Sequence, residues 1–377
     1  MRRLFKYRRD RITSMARKDS IRIDSMAKKL MLRDGETGKT RQRKREEKPP
    51  LSLVTGASGR LGGYLLKALL QKGEHVRVLQ RKSGSQPHFP EGVEVVYGDL
   101  ADRAALDTAV TDVDKVFHLA AVVSHSAPME LLLEVNYKGT RNLLDACRSK
   151  AYALRRFVFV SSIDVFGKKI EHLPADEDTP TNPSSWYGRS KLMAEEVVKQ
   201  YTDRIPCVII RPAIIYGAGF EEGYIPMLSA LEKQKMPIIG NGENIIPFVH
   251  ASDVVRGLLL ASDAEAAPGN TYVLASDERK TQREILQIAC RHLGVQPPQK
   301  STSVSTAKLK LQLANLISPI TGKKPKLLEE HIDIISANRS YSIGRAKKDL
   351  GYQPAVKLEE GIGEMVEYYR SMKGGAL

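Results

Sequence analysis

The feature that most constrains the fold is a glycine-rich loop between a short apolar run and an amphipathic helix. LSLVTG (51–56) predicts a buried β-strand, and the apolar spacing of residues 61–73 predicts a helix. Between them, TGASGRLG places Gly56, Gly59 and Gly62 where a tight turn needs residues without a Cβ atom. Because a helix N-terminus offers free N–H groups, this context predicts the pyrophosphate-binding loop of a dinucleotide site.

Strand and helix patterns alternate regularly up to about residue 213. The further predicted strands are 75–80, 93–98, 115–121, 156–162 and 207–212, and the further predicted helices are 102–110, 129–150 and 187–202. This alternation predicts an α/β fold with a doubly wound parallel Rossmann sheet and a smaller C-terminal substrate-binding lobe. We expect the Rossmann part to comprise mainly 49–215 and 246–275, and the substrate lobe mainly 216–245 and 276–377.

The net charge of +15 is concentrated at one end of the chain. Residues 1–50 hold 18 Lys and Arg against 7 Asp and Glu, so they carry +11 and the rest of the chain only +4. Residues 1–48 lack a sustained apolar face and lead into two prolines, so we expect a basic, disordered tail. Met15, Met26 and Met31 offer alternative start positions. Contact of the tail with a nucleic acid or an anionic membrane is the alternative to a simply solvated segment.

The amino-acid composition indicates in which cellular compartment we expect the protein. No apolar run approaches the roughly 20 residues that cross a bilayer, and residues 1–32 lack the apolar core of a signal peptide. The 3 cysteines are far apart, and neither they nor the 8 histidines form a metal-type cluster. We therefore expect a cytoplasmic protein with reduced cysteines, no transmembrane segment and no metal site.

The residues after the second predicted strand bear on the choice of cofactor. A carboxylate at this position binds the ribose 2′-hydroxyl of NAD, whereas an arginine accommodates the extra phosphate of NADP. Here Gln80 is followed by Arg81 and Lys82, with no acid. NADP(H) is therefore favoured, with NAD(H) as the alternative. The loop residues expected to contact the cofactor are Gly56, Ser58, Gly59, Arg60, Leu61 and Gly62.

A tyrosine and a lysine lie four residues apart at the start of a predicted helix. Tyr187 and Lys191, in YGRSK, share one helix face. Because an ammonium favours an ionised phenol, we expect Lys191 to lower the pKa of Tyr187, which then exchanges a proton with a substrate alcohol or carbonyl. Ser161 and Ser162 end a predicted strand at the ligand edge of the sheet, where a hydroxyl can polarise a carbonyl oxygen. The alternative for either serine is a turn-forming role.

Together these motifs resemble a known family. Over roughly residues 50–370, the chain resembles an extended short-chain dehydrogenase/reductase of the NAD-dependent epimerase/dehydratase type. SSIDVFG and RPAIIYG are most similar to the branch of 3β-hydroxysteroid dehydrogenases and dihydroflavonol reductases. The motifs that carry the resemblance are TGASGRLG, VEVVYGDLAD, VFHLAA, NYKGT, FVFVSSIDVFG, YGRSK, RPAIIYG, GNGENIIPFVHASDVV and KKDLGYQP.

The resemblance implies roles for individual residues. Ser162 matches the catalytic serine, Tyr187 the acid/base, and Lys191 its activator, which also binds the nicotinamide ribose. Asn136 is expected to brace the region of the catalytic lysine. The further cofactor contacts that it implies are Asp99 and Leu100 beside the adenine, Ala120 and Ala121 along the channel, and Arg211 and Pro212 near the nicotinamide. A homodimer is the habit of the family.

The same resemblance leaves several activities to weigh. Dehydratases of the family carry an Asp-Glu pair after the serine, but Ile163 and Asp164 stand here. Sugar-nucleotide enzymes carry a diphosphate-binding arginine where this chain has Ile246, although Arg256 or Arg279 could substitute for it. We therefore predict an NAD(P)-dependent oxidoreductase that interconverts a secondary alcohol and a ketone on a small, apolar (steroid-, isoprenoid- or flavonoid-like) substrate. A nucleotide-sugar epimerase with tightly bound NAD is the alternative, and the complete catalytic set disfavours a non-catalytic binding protein.

One segment of the predicted lobe carries apolar residues near helical spacing, in STAKLKLQLANLISPITGKK (305–324). We expect an ordinary core helix. A pocket wall or a contact with a membrane surface is the alternative. The apolar residues concerned are Leu309, Leu311, Leu313, Leu316 and Ile317.

Overall fold

Apolar strands alternate with amphipathic helices along most of the chain. The structure, a computed structural model, describes residues 49–82, 87–221, 223–321 and 329–373. The predicted tail, residues 1–48, lies outside the described residues. The strands are β1 (Leu51–Thr55), β2 (His75–Gln80), β3 (Glu94–Tyr97), β4 (Lys115–His118), β5 (Arg156–Val160), β6 (Cys207–Pro212), β7 (Ile214–Tyr216), β8 (Ile238–Ile239), β9 (Phe248–His250), β10 (Thr271–Leu274) and β11 (Ser301–Thr302). The helices are α1 (Arg60–Gln71), α2 (Arg103–Val110), α3 (Met129–Leu132), α4 (Gly139–Lys150), α5 (Trp186–Gln200), α6 (Tyr224–Glu232), α7 (Ala251–Asp263), α8 (Gln282–Leu293), α9 (Val304–Thr321), α10 (Glu329–Ser336), α11 (Gly344–Leu350) and α12 (Leu358–Lys373).

Seven strands form one sheet in the order β3-β2-β1-β4-β5-β6-β10. Each neighbouring pair is parallel, with Leu51 opposite His75 and Ser52 opposite Lys115 around β1. The predicted doubly wound parallel sheet is therefore confirmed. Because the strand order reverses between β1 and β4, their carboxyl ends open a crevice, which is where ligands bind in such sheets.

Successive residues of the central strands enter cores on opposite faces of the sheet. Val54 and Ile210 pack with the apolar residues of α1 and α7 on one face. Leu53 and Ile209 pack with those of α2, α4 and α5 on the other face. Burial on both faces explains why these strands are nearly continuous apolar runs.

The chain after residue 213 builds a third core. Leu228, Ile285 and Val366 join α6, α8 and α12 there. Residues 341–352 depart from the predicted lobe assignment, because Leu350 of α11 and its neighbours pack into the sheet core. The short helix presents its apolar face to β10 and α7, so this stretch supports the sheet rather than the lobe. Both parts belong to one compact unit, Leu51–Leu377.

The helix predicted over residues 129–150 contains an irregular turn. α3 passes through a π-helical turn, Leu133–Lys138, before α4 begins. A π turn changes the direction in which the following side chains point, and such turns are frequent at functional sites. Asn136 lies within this turn and is 1% exposed.

The structure also bears on membranes and metals. None of the described helices combines the length and the apolar character that crossing a lipid bilayer requires. Within the described ranges, no group of three or more His, Cys, Asp or Glu side chains is arranged to hold a metal ion. Cys147, Cys207 and Cys290 are buried and free.

Candidate active site

The glycine loop joins β1 to α1 at the crevice. Gly56 has a φ of +76°, and a Cβ atom there would lie 2.7 Å from the Ala120 nitrogen. A Cβ at Gly62 would lie 2.2 Å from the Gly56 oxygen. No side chain caps the N-terminus of α1, so the loop is an open backbone cradle that fits the pyrophosphate of a dinucleotide. The cleft is lined here by Gly56, Ser58, Gly59, Arg60, Leu61 and Gly62.

The end of the cleft beside β2 and β3 is rich in cations. Arg81 and Lys82 directly follow β2, are exposed, and line the cleft together with Arg60. Gln80 ends β2, and its side-chain amide donates to the Arg81 carbonyl at 3.1 Å. Asp99 lines the same end, but its Oδ1 accepts two backbone N–H groups of its own turn at 2.8 and 3.1 Å. The end of β2 therefore carries no carboxylate for a ribose 2′-hydroxyl.

A buried histidine fixes the end of β4. His118 Nδ1 lies 2.7 Å from Thr55 Oγ1, and His118 Nε2 lies 2.9 Å from Thr140 Oγ1. Burial, followed by the charge of Lys191, lowers the pKa of His118 to about 3. The ring is thus a neutral bridge that holds the channel wall. The predicted channel residues Ala120 and Ala121 line the cleft, as does Leu100, which was predicted to lie beside the adenine.

The two serines after β5 have different surroundings. Ser161 is buried and donates to Glu195 Oε1 at 2.5 Å. Ser162 lines the cleft, accepts the Asp164 N–H at 3.1 Å and shares a hydrogen bond with the Tyr187 hydroxyl. Both serines line the cleft, but Ser161 is 3% exposed and its hydroxyl is bound to Glu195, so Ser162 is the serine that faces Tyr187.

One turn of α5 carries the tyrosine and the lysine to the same place. Tyr187 and Lys191 are 6% and 3% exposed, and both line the cleft. The Lys191 ammonium donates to the Val160 carbonyl at 2.5 Å. Asn136 lies behind this turn, where its side-chain amide donates to Ser190 Oγ at 2.9 Å. Asn136 is therefore a positioning residue, which braces the helix between the tyrosine and the lysine.

Burial shifts the pKa values of both groups. It lowers the pKa of Lys191 to about 7, although the charge of Glu195 opposes this change. Burial, followed by the charge of Asp164, raises the pKa of Tyr187, and the hydrogen bond with Ser162 opposes this only in part. The prediction that Lys191 lowers the pKa of Tyr187 is wrong for the protein alone, because the ammonium points to the Val160 carbonyl.

Of the predicted pair after β6, only Pro212 lines the cleft. Arg211 is 2% exposed and binds Glu195 through two hydrogen bonds at 2.9 and 2.7 Å. The guanidinium carbon also lies 4.8 Å from the centre of the Phe166 ring. The predicted contact of Arg211 with the cofactor is therefore wrong, since its guanidinium is paired with the Glu195 carboxylate beneath the cleft. Sequence reasoning missed Glu195, although it lies one turn after Lys191.

A second charged cluster adjoins Tyr187. His125 Nε2 lies 2.9 Å from Asp164 Oδ2, and Arg339 Nη1 lies 3.4 Å from Asp164 Oδ1. Burial alone would raise the pKa of Asp164, but the His125 hydrogen bond and the Arg339 charge together lower it. The centres of the His125 and Tyr187 rings are 5.4 Å apart, edge to face. All of these residues line the cleft.

Beyond the predicted catalytic residues, the cleft becomes an apolar pocket. The whole cleft has a volume of about 2180 Å³. Ile246 lines it where the related sugar-nucleotide enzymes carry an arginine, and neither Arg256 nor Arg279, both described, does so. The apolar lining consists of Ile214, Ile215, Phe220, Tyr224, Met227, Leu231, Met236, Ile239, Ile246, Phe248, Ile285, Leu286, Leu311, Ile332, Ile334 and Ile335.

α9 forms part of this wall. Leu311 is 8% exposed and lines the pocket. Leu309, Leu313 and Leu316 are 56%, 53% and 72% exposed on other faces of the helix. The predicted core helix and its alternative, a pocket wall, are each met in part, since Leu311 packs in a buried cluster with Ile239 and Ile332 and also lines the pocket. The side chain of Ile317 lies outside the described residues.

Comparison with known proteins identifies relatives of the whole folded region. The family model that matches residues 52–275 is that of the NAD dependent epimerase/dehydratase family. The 2-alkyl-3-oxoalkanoate reductase of Stenotrophomonas maltophilia is 29% identical, over 82% of this chain and 96% of that protein. The human sterol-4-alpha-carboxylate 3-dehydrogenase, decarboxylating, is 28% identical, over 85% and 88%. A short-chain dehydrogenase/reductase superfamily protein of Agrobacterium tumefaciens, solved with bound NAD, is 26% identical with a TM-score of 0.66, over 86% of this chain and 98% of that one.

Proposed function

Because this chain belongs to the NAD-dependent epimerase/dehydratase family, we propose that it interconverts a secondary alcohol and a ketone on a small, predominantly apolar substrate. The observation that carries the proposal is the position of Ser162, Tyr187 and Lys191, which line the cleft between the glycine loop and the apolar pocket. When bound in the channel, the nicotinamide cofactor supplies or accepts a hydride.

The side chains divide the proton chemistry among them. The Tyr187 phenol donates a proton to the carbonyl oxygen during reduction and accepts it from the alcohol during oxidation. Ser162 hydrogen-bonds Tyr187 and orients the substrate oxygen. Lys191 lies one turn after Tyr187 and would hold the ribose of the nicotinamide, and its pKa, lowered to about 7, leaves it partly charged near neutral pH.

Removal of the Tyr187 hydroxyl tests the proposal. Tyr187→Phe is expected to lower kcat by at least about a hundredfold, since general acid–base catalysis is lost, while the Kd of the cofactor changes little. NADPH absorbance with a panel of steroid, isoprenoid and flavonoid ketones gives the turnover, and calorimetry gives the Kd. Tyr201→Phe is the matched control, because the Tyr201 hydroxyl donates to Asp145 at 2.7 Å away from the cleft. Substantial turnover by Tyr187→Phe would contradict the assigned role.

The names of the relatives narrow the substrate class. One names a 3-oxoalkanoate with an alkyl group at position 2, and the other a sterol 4-carboxylate that is dehydrogenated at position 3. Both compounds are apolar and carry a carboxylate on the carbon next to the reacting carbon. The apolar lining of the pocket supports an apolar substrate here as well.

A nucleotide-sugar epimerase would use the same catalytic residues, with NAD retained and no net change in its redox state. The apolar residue at position 246, and the absence of Arg256 and Arg279 from the described pocket wall, support the oxidoreductase instead. Two measurements separate the activities. Net oxidation of NADPH by a ketone supports the oxidoreductase, whereas NAD that co-purifies and shows no net redox change supports the epimerase.

We further propose that NADP(H) is preferred to NAD(H). Arg81 and Lys82 directly follow β2 and line the cleft where the 2′-phosphate would lie, Arg60 of the glycine loop also lines the cleft, and Gln80 replaces the acid that binds NAD. Arg81→Ala is expected to raise the Kd of NADPH about tenfold, the effect of one charge-assisted hydrogen bond, and to leave that of NADH unchanged. Lys67→Ala, on the exposed face of α1, is the control. Tighter binding of NADH than of NADPH by the unmodified protein would overturn the preference.

A further inference from the structure

Arg339 is a buried arginine that is only partly paired. Its side chain is 4% exposed, yet it lines the cleft. An approach of 3.4 Å joins it to Asp164 and a side-chain contact joins it to Tyr341, while its buried Nε has no hydrogen-bond partner among the described residues. Arg211 binds Glu195 with two short hydrogen bonds, keeps only its buried Nη1 without a partner among the described residues, and does not line the cleft. A guanidinium has five N–H donors, so Arg339 keeps donors for a further acceptor.

The cluster around Arg339 reaches the catalytic groups. Asp164 lies two residues after Ser162 and donates its N–H to the Ser162 oxygen at 3.1 Å. His125, which holds the other carboxylate oxygen of Asp164, contacts the Tyr187 ring edge to face. A substrate whose oxygen lies at Ser162 and Tyr187 therefore has His125 and Arg339 beside the neighbouring atoms.

The pocket is positively charged as well as apolar. Among the described residues after Pro212 that line the cleft, none is Asp or Glu. Asp164 lines the cleft beside Tyr187, whose pKa its charge raises, and Arg339 and His125 already compensate it. Apolar walls with an excess of positive charge are complementary to an apolar anion. The charged lining residues after Pro212 are Lys235, Lys300, Lys310 and Arg339.

We propose that His125 and Arg339 bind a carboxylate on the carbon next to the reacting carbon, so that the substrate is a 2-substituted 3-hydroxy or 3-oxo acid. Arginine suits this role because its planar fork matches the two oxygens of a carboxylate. Asp164 holds both groups in place before the substrate arrives. This inference rests on the proposed oxidoreductase function and adds to it a specificity-determining pair.

Binding without turnover tests the subsite. The full-length protein is saturated with NADPH, so that a hydroxy acid cannot react, and is titrated by calorimetry with 3-hydroxy-2-methyloctanoate and with its methyl ester. We expect the acid to bind at least about tenfold more tightly than the ester, as for a charge-assisted hydrogen-bonded pair. In Arg339→Gln this difference is expected to fall below about threefold. Equal affinity of the unmodified protein for acid and ester would overturn the proposal.

Two controls keep the test decisive. Arg345→Gln removes a nearby arginine that binds Asp178 at 2.7 Å outside the cleft, and it should keep the preference for the acid. If Arg339→Gln does not fold, His125→Gln must weaken binding of the acid more than that of the ester.

Turnover of the same two compounds with NADP⁺ separates the two proposals. A preference for the acid in binding without any hydride transfer would overturn the proposed function and retain the subsite. Oxidation of acid and ester with equal kcat/KM would retain the function and overturn the subsite.

Discussion

At the scale of single residues, Lys191 is a buried amine that titrates near neutral pH. Burial lowers its pKa from 10.5 to about 7 in the native protein, and unfolding restores the ordinary value. Between these two values the unfolded chain binds a proton that the native protein does not. The free energy of unfolding therefore rises with pH across this interval, by up to about 1.4 kcal/mol per pH unit.

Lys191→Met should remove this rise. The free energy of unfolding of the variant, relative to that of the unmodified protein, is expected to decline as the pH increases from about 7 to 9.5. Urea denaturation without cofactor measures the difference. Lys199→Met, at an exposed position of the same helix, is the control and should leave the pH dependence unchanged. Parallel pH profiles for Lys191→Met and the unmodified protein would contradict the lowered pKa.

The neighbouring serines Ser161 and Ser162 have different hydrogen-bond partners in this site. Spacing alone left Ser161 and Ser162 open, and the family resemblance favoured Ser162. The structure gives the physical reason, since Glu195 accepts the hydrogen bonds of both Ser161 and Arg211 beneath the sheet edge. A buried carboxylate that lies 34 and 16 positions from its two partners leaves no local pattern in the sequence. Arg211 was therefore assigned to the cofactor, because the sequence did not show that Glu195 binds it.

At the scale of elements, the glycine loop combines backbone strain with close packing. Gly56→Ala places a Cβ 2.7 Å from the Ala120 nitrogen at a φ of +76°. We expect it to destabilise the protein by about 1–3 kcal/mol and to raise the Kd of NADPH, because the cradle must shift. Thermal unfolding and fluorescence titration measure the two effects.

Gly63→Ala is the matched control for this loop. Gly63 lies in α1, and a Cβ there would meet nothing within 4 Å. The substitution should stabilise the protein by about 0.5–1 kcal/mol, because alanine loses less backbone entropy in a helix. Equal effects of the two substitutions would show that neither strain nor packing distinguishes the loop.

The elements of the sheet were predictable because burial on both faces leaves strong apolar runs separated by turns. The π turn at Leu133–Lys138 was not, since the apolar spacing continues through it. α9 was assigned to the core because helical spacing of leucines reports an apolar side and not what covers it. The structure places Leu311 against the pocket and leaves Leu313 exposed.

At the scale of the whole molecule, the site joins two stretches of the chain. The channel comes from residues 55–121, whose motifs are local and could be found in the sequence. The pocket comes mainly from residues after 212, and its contact between Asp164 and Arg339 spans 175 positions. The motifs of the channel could therefore be predicted from the sequence, whereas the residues that form the substrate pocket could not. A homodimer stays a prediction, since a single chain carries no information about its partner.

The predicted basic tail carries most of the net charge of the chain, whereas the part that holds the cleft carries little. Residues 1–50 carry +11 of the net charge of +15. Removing residues 1–48 should leave turnover and the Kd of NADPH within about a factor of two, since the cofactor and pocket residues all follow residue 54. Any affinity of the full chain for duplex DNA or anionic vesicles should disappear with the tail.

Fluorescence anisotropy at about 50 and 200 mM salt measures this affinity, because polyanion binding by lysine and arginine weakens steeply with salt. Unchanged binding after truncation would place the polyanion contact on the folded body. A double variant of Arg81 and Lys82 would then show whether these cations, which line the cleft, are the residues responsible.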